Sequence, residues 1–164
     1  MSGSSRPAAK GKAMKQSSTG PHRFEMYGWI SCAPFERLLS MEIVEASDGQ
    51  AILRMPFHID YAQGGGLMHG GALVSLADTA VVMAIKSLIP AQSHFATILC
   101  EARFFLPVKK GIVTAKARVV EREGRTLKGR ATVYDDEERG VMEFSSTFKI
   151  ARDTTIKGVV FKDI

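Results

Sequence analysis

The sequence has little cysteine, no long uninterrupted apolar segment and no acidic residue in its first 24 positions. The two cysteines, Cys32 and Cys100, are too few for a disulfide framework. We expect both to be small buried side chains in a reducing compartment, the cytoplasm. The longest strongly apolar stretch, near residues 72–85, contains Asp78 and is too short to span a membrane. No positively charged start leads into an apolar segment, so we expect no secretory signal.

The net charge of +5 belongs to the N-terminal segment rather than to the whole chain. Residues 1–24 contain five of the 22 basic side chains and none of the 17 acidic ones. The rest of the chain is therefore electrically balanced. Because a nucleic-acid-binding domain usually has a basic surface patch, we expect no nucleic-acid partner.

The composition predicts one globular domain between two weakly patterned ends. Hydrophobic residues make up 45% and charged residues 24% of the 164 positions, a globular balance. Residues 1–22 are mostly small and polar and are predicted to be a flexible basic tail. The domain is predicted at 23–152. Residues 153–164 are weakly patterned, and we expect a C-terminal extension that frays.

The order of predicted elements is a short helix, two strands, a long helix and four strands. They lie at 31–39 (a helix with Ser31 as its N-cap), 41–46, 50–56, 70–89 (the long helix), 94–105, 112–122, 125–135 and 140–151. Hairpin-type connections favour an antiparallel sheet. A helix that is apolar on most sides has to be enclosed by that sheet. The predicted fold is therefore α+β, with a curved antiparallel sheet wrapped around a long central helix.

The predicted long helix contains a single ionisable side chain between His69 and Lys86, that of Asp78. A buried carboxylate is unfavourable unless it is paired or its pKa rises. Its neighbours at helical spacing, which include Val74 and Val82, are apolar. Two interpretations stay open at this point. Asp78 is either a functional acid or part of an exposed stripe that faces water.

Two glycines, Gly70 and Gly71, begin this helix after His69. Without side chains they let a ligand approach the free N–H groups of the first turn, which can polarise a carbonyl group. A simple loop-to-helix turn is the alternative. Gly70 and Asp78 lie about 12 Å apart along one helix, too far to act on the same reacting group. If both are functional, we predict a homodimer in which Gly70 of one chain meets Asp78 of the other.

The segment Gln63-Gly-Gly-Gly-Leu-Met-His-Gly-Gly, followed after six residues by Asp78, resembles the signature of hotdog-fold acyl-CoA thioesterases. The resemblance is greatest to the phenylacetate-pathway (PaaI-like) and 4-hydroxybenzoyl-CoA thioesterase group. Residues 104–111 and 124–125 are also similar to that group. The resemblance covers roughly residues 40–151. It implies the hotdog fold and hydrolysis of an acyl-CoA thioester to a free acid and coenzyme A. For the assembly we expect the homodimer to pair with a second one into a homotetramer.

The resemblance also implies roles for individual residues. Asp78 would be the catalytic carboxylate, as nucleophile or general base, and the Gly70 N–H would polarise the thioester carbonyl. His69 would help shape the loop or the oxyanion site, and Gln63 would orient water or substrate. Thr97 matches a position where some members have a catalytic hydroxyl. Each of these three can instead be structural. Possible contacts to coenzyme A phosphates are Lys109, Lys110, Arg125 and Thr126, although a solvated turn is the usual role for such lysines.

No metal and no separate cofactor is predicted. The four histidines, His22, His58, His69 and His94, lack ligand spacing, and coenzyme A is part of the substrate. Two other functions on the same fold stay open. A non-catalytic acyl-CoA-binding or sensor protein would need a pocket but no ionised acid at position 78. A hydratase or dehydratase would need a different arrangement of histidine and acid.

Overall fold

The structure is a computed structural model that describes residues 22–162, apart from the side chains of residues 154 and 155. Except for His22, the predicted tail at 1–22 lies outside the described residues, and the predicted domain boundaries stay predictions. Within residues 22–162, no helix is long and apolar enough to cross a membrane.

A six-stranded antiparallel sheet encloses one long helix. Along the described chain the elements are β1 (Phe24–Tyr27), α1 (Pro34–Leu38), β2 (Glu42–Ser47), β3 (Gln50–Pro56), α2 (Gly70–Lys86), β4 (Ser93–Phe104), β5 (Ile112–Glu123), β6 (Thr126–Tyr134), β7 (Gly140–Thr155) and β8 (Val159–Lys162), with a 3₁₀ turn at Ile59–Tyr61 before α2. The strand order in the sheet is β2–β3–β5–β6–β7–β4. The predicted α+β fold is thereby confirmed.

Alternation along the central strands separates a buried face of the sheet from an outer face. The buried face packs against α2 with mainly apolar side chains from β3, β5, β6 and β7: Leu53, Met55, Val113, Ala115, Leu127, Val133 and Phe148. The closest approach is at Gly129 of β6, where a Cβ atom would lie 2.2 Å from Cγ1 of Val81 on α2. A side chain at this position would therefore push the helix away from the sheet.

The ends of both helices differ from the prediction. The predicted N-cap at Ser31 is wrong, because α1 begins three residues later and Ala33 is its N-cap. The Ser31 hydroxyl instead donates a hydrogen bond of 2.8 Å to the carbonyl oxygen of Gly28, which fixes the preceding turn. The long helix ends at Lys86 rather than Ile89.

A two-stranded parallel sheet at the ends of the described chain is absent from the predicted elements. It consists of β1 and β8, paired from Phe24 with Val159 to Tyr27 with Lys162. Trp29, just after β1, makes an edge-to-face contact with Phe161 of β8 at 5.8 Å. The expectation that residues 153–164 fray is therefore wrong for β8, because strand pairing and the aromatic contact hold this segment.

The long strand β4 forms one edge of the sheet, and most of its side chains are exposed. Ile98 and Leu99 each expose 59% of their surface, and Phe104 exposes 51%. A long edge strand with apolar side chains is a ready template for pairing with another chain. Cys100 lies on this strand and is exposed, so its predicted burial is wrong, while Cys32 is half-buried.

Candidate active site

The N-terminus of α2 leaves one backbone N–H group available. His69 is the N-cap, and its Nδ1 atom accepts a hydrogen bond of 2.8 Å from the N–H of Gly71. The N–H of Ala72 donates to the His69 carbonyl oxygen at 2.9 Å. Within residues 22–162, the N–H of Gly70 has no acceptor. His69 thus accepts hydrogen bonds from the N–H groups of Gly71 and Ala72, and the Gly70 N–H stays free for an external oxygen atom.

The loop before α2 fixes the position of this free N–H. The backbone N–H of His69 donates to the Tyr61 carbonyl oxygen at 2.7 Å, and that of Met68 donates to Val108 at 2.9 Å. The Gln63 side-chain oxygen accepts a hydrogen bond from the N–H of Gly65 and therefore stabilises its own loop. Neither His69 nor Gln63 is hydrogen-bonded to Asp78.

Phe104 covers the glycine at the start of the helix. A Cβ atom at Gly70 would lie 3.2 Å from Cε1 of the Phe104 ring, closer than ordinary van der Waals contact. The absence of a side chain therefore keeps a narrow space between the helix terminus and this ring. The sequence interpretation did not assign Phe104 to the site. The signal that could have identified it is its place at the end of β4, on the same face of the strand as Thr97.

Asp78 lies on the side of α2 that the sheet covers least. Leu76 and Ala77 beside it are fully buried, whereas Val74, Asp78 and Val82, spaced by one helical turn, are half-buried. The carboxylate is therefore neither in open water nor sealed in the core. Burial removes water from the charged form and raises the pKa of Asp78 above its usual value of 3.8.

Thr97 of β4 is the hydrogen-bond partner of Asp78. Its hydroxyl oxygen lies 3.4 Å from each carboxylate oxygen. This interaction stabilises the ionised form and lowers the pKa, but by less than burial raises it. The hydrogen bond connects the acid of α2 to the exposed edge strand β4.

Gly70 and Asp78 occupy different ends of the region between α2 and β4. Gly70 contacts Phe104, the last residue of β4, whereas Asp78 contacts Thr97 near its beginning. About 12 Å of helix separates the two residues along the axis. Within one chain, the Asp78 carboxylate and the free Gly70 N–H are therefore too far apart to act on the same reacting group.

Lys109 and Lys110 are exposed in the turn between β4 and β5, at the Gly70 end of the sheet. They line a depression of about 320 Å³ together with three acidic residues, Asp135, Asp136 and Glu137. Asp135 and Glu137 are paired with Arg139 in the same depression, at 2.8 and 3.5 Å, rather than with the two lysines.

Arg125 and Thr126 lie at the other end of β5. The Arg125 guanidinium donates a hydrogen bond of 2.7 Å to the Ile150 carbonyl oxygen and thereby holds its turn against β7. Thr126 begins β6 and is half-buried. The 12 residues of β5 separate this pair from the lysines by roughly 35 Å. The structure does not bring the four predicted phosphate contacts together within one chain.

The central part of the chain matches a known protein family. The model of the thioesterase superfamily matches residues 65–142, which include Gly70, Asp78 and Thr97. ComA2 of Bacillus subtilis strain 168, named as a candidate esterase, is 33% identical over 102 residues, or 62% of this chain and 81% of that protein. A protein of Halobacterium salinarum with the same kind of name is 35% identical over 94 residues. This match spans 54% of the chain but only 61% of the relative, less than two thirds of its length.

Solved structures agree with this match. A conserved protein of Pseudomonas aeruginosa has a TM-score of 0.70 at 29% identity, over 73% of this chain and 95% of that one. A variant of the phenylacetic acid degradation protein PaaI from Thermus thermophilus has a TM-score of 0.66 at 27% identity, over 71% of this chain and 98% of that one. The predicted hotdog fold and the resemblance to PaaI-like proteins are confirmed. The chain belongs to the thioesterase superfamily.

Proposed function

We propose that the protein hydrolyses acyl-CoA thioesters in sites shared between two subunits. The observation that carries the proposal is the half-buried carboxylate of Asp78, hydrogen-bonded to Thr97 beside an exposed strand edge. An acid that is partly desolvated and held by one hydroxyl is suited to react with a carbonyl or with water. Membership of the thioesterase superfamily supports the same chemistry.

The shared site follows from pairing β4 with the same strand of a second subunit. In an antiparallel pair, Thr97 would have to lie opposite the partner's Phe104 for Asp78 to meet the partner's Gly70. Residues directly opposite each other in a sheet point to the same face. Thr97 and Phe104 meet this condition, because in each chain both side chains point to the face that carries α2. When the bulge between Thr97 and Leu99 is included, this register places the two-fold axis near Glu101. The pairing would cover the apolar edge and complete two equivalent sites.

The reaction has two possible first steps at Asp78. As a general base, the carboxylate takes a proton from water, whose oxygen bonds to the thioester carbon. As a nucleophile, a carboxylate oxygen bonds to that carbon and forms a mixed anhydride, which water then hydrolyses. In both cases the carbon–sulfur bond breaks, its electron pair leaves with coenzyme A, and negative charge on the carbonyl oxygen develops beside the partner's Gly70 N–H.

The other predicted residues support these steps. His69 fixes the terminal turn so that the Gly70 N–H stays free, and Thr97 orients the carboxylate of Asp78. Gln63 would turn from its own loop toward substrate or water when a ligand binds. The proposed pairing brings the Lys109–Lys110 end of one subunit toward the Arg125–Thr126 end of the other, on the side where the phosphates of coenzyme A would enter.

The acyl group would lie in the apolar space between α2 and the partner subunit. The reaction needs no metal ion and no separate cofactor, since coenzyme A enters as part of the substrate. Pairing of dimers into a homotetramer and a cytoplasmic location stay predictions.

The test is a hydrolysis screen over aryl- and alkyl-CoA thioesters with the full chain, followed by the variant Asp78→Asn on every active substrate. We expect turnover to fall at least about a hundredfold, as for the loss of other acid–base groups. The matched control is Asp153→Asn, an exposed acid on β7 that should leave turnover unchanged. Undiminished hydrolysis by Asp78→Asn would refute the assignment. Tight acyl-CoA binding without hydrolysis by the natural chain would favour a binding protein instead.

A further inference from the structure

A cavity of about 740 Å³ lies on the face of the sheet that points away from α2. Its charged lining residues are Glu101, Arg103, Lys116, Arg118, Arg130 and Glu143. Along the strands they alternate with side chains that face the helix, such as the buried Ala117 and Ala131. The sheet therefore separates this cavity from Asp78, and the proposed chemistry at that carboxylate does not involve it.

Two arginines in this cavity face each other across neighbouring strands. Arg118 of β5 lies directly opposite Arg130 of β6 in the strand register. Like charges at opposite positions of an antiparallel pair destabilise the sheet. Lys116 adds a third positive charge on the same face, two residues before Arg118. The arrangement opposes folding unless something else offsets the repulsion.

These three groups form no ion pair within residues 22–162, although the Lys116 ammonium lies 5.2 Å from the centre of the Tyr134 ring. No carboxylate in the described part of the chain lies within ion-pair distance of any of the three groups. Lys128, on the same face of β6, is by contrast paired with Glu121 at 2.8 Å. The cavity therefore brings together three cations that have no ion-pair partner among the described residues.

The two carboxylates of the cavity lie on its other side, beside Arg103. Glu143 of β7 is directly opposite Arg103 of β4, and Glu101 is two residues from it on the same face. Neither acid forms an ion pair with Arg103. Glu143 is also directly opposite Thr132 of β6, two residues from Arg130. The lining as a whole therefore has four positive and two negative side chains. The three cations of β5 and β6 lie two or three strands away from the edge where β4 would pair.

We propose that the half of the cavity formed by β5 and β6 binds the phosphate groups of a small diphosphate-type anion. Guanidinium groups match phosphate oxygens with paired hydrogen bonds, and a bound anion would convert the repulsion between Arg118 and Arg130 into attraction. The hydroxyl groups of Thr132 and Ser145 in the same lining can donate further hydrogen bonds. A volume of about 740 Å³ suits a small-molecule ligand. The phosphates could come from coenzyme A or from a separate ligand.

The test is calorimetric titration of the full chain with inorganic diphosphate at low ionic strength. We expect saturable binding that Arg118→Gln and Arg130→Gln each weaken at least about tenfold, as for the loss of a charge-assisted hydrogen bond. The matched control is Lys149→Gln, an exposed lysine on β7 outside the cavity, which should bind within about twofold of the natural chain. Asp78→Asn should bind diphosphate normally, which separates this proposal from the proposed catalysis.

Saturating coenzyme A distinguishes the two sources of phosphate. Undiminished diphosphate binding would assign the cavity to a separate ligand. If coenzyme A instead displaces diphosphate from the natural chain, and Arg130→Gln binds neither ligand at this site, the cavity holds the phosphates of coenzyme A. Three results would overturn the proposal: no saturable binding, equal weakening by Lys149→Gln, or arginine variants whose only effect is a change of molecular mass in solution. The last result would show that a second copy of the chain covers this face.

Discussion

Shared sites predict that two inactive variants restore activity when they are mixed. The first, Asp78→Asn, removes the acid. The second, Gly70→Pro, removes the backbone N–H at the first position of α2, where proline is favoured. His69 already has φ −63° and ψ 131°, the extended conformation that a following proline requires. Gly70→Ala, which keeps the N–H, is the matched control for the change of side chain.

The size of the recovery follows from counting complete sites. A mixed dimer of the two variants has one site with both defects and one site with Asp78 from one chain and an intact Gly70 from the other. Random exchange makes about half of all dimers mixed, so the mixture should regain about one quarter of natural turnover. If each site lay within one chain, the same mixture would regain nothing.

The assay uses two affinity tags, so that mixed dimers are purified after subunit exchange and their turnover is measured directly. Purified mixed dimers should have about half the natural turnover per dimer, and samples that have not exchanged should have the low activity of each variant alone. Proven mixed dimers without recovery, from variants that are folded by circular dichroism, would refute the shared site.

Two further predictions concern stability. Because burial raises the pKa of Asp78 above 3.8, the folded chain binds a proton more tightly than the unfolded chain, and stability falls as pH rises from 3.8 through the raised pKa. Asp78→Asn should therefore melt at a higher temperature than the natural chain at pH 7 and at a similar temperature below pH 3.8; lower stability at pH 7 would contradict this. Gly129→Ala places a Cβ atom 2.2 Å from Val81 and should cost about 1–3 kcal/mol of unfolding free energy. Its control, Gly140→Ala, meets its nearest atom at 4.0 Å, and equal losses for both would exclude the contact as the cause.

The sequence was sufficient to predict the sheet and the central helix because their patterns are long. The alternation in β6 and the apolar run of α2 extend over many residues, and β3 was predicted at its observed bounds of 50–56. The strands β1 and β8 have four residues each, too few for a period to be recognised. They form because the two ends of the described segment, residues 24–27 and 159–162, lie side by side. Trp29 packs against Phe161 and Lys86, which are long-range contacts.

The candidate residues of the site could be named from the sequence, but their relative positions could not. The spacing of His69, Gly70 and Asp78 indicated the chemistry, and the helix length alone separated the two reactive groups. The contact of Thr97 with Asp78 depends on how β4 lies beside α2, which no local pattern contains. The acids around Lys109 and Lys110 come from the β6–β7 connection, far along the sequence, so only the structure reveals them.

The parallel pair of β1 and β8 has a consequence for the design of shortened versions of the protein. A chain cut at residue 152, the predicted boundary of the domain, would lose the ladder partner of β1 and the Phe161 ring that covers Trp29. Trp29 in turn exchanges two hydrogen bonds with Lys86, at the last turn of the helix that carries the acid. Trimming one terminus therefore also loosens the other, and expression boundaries have to be chosen for both ends together.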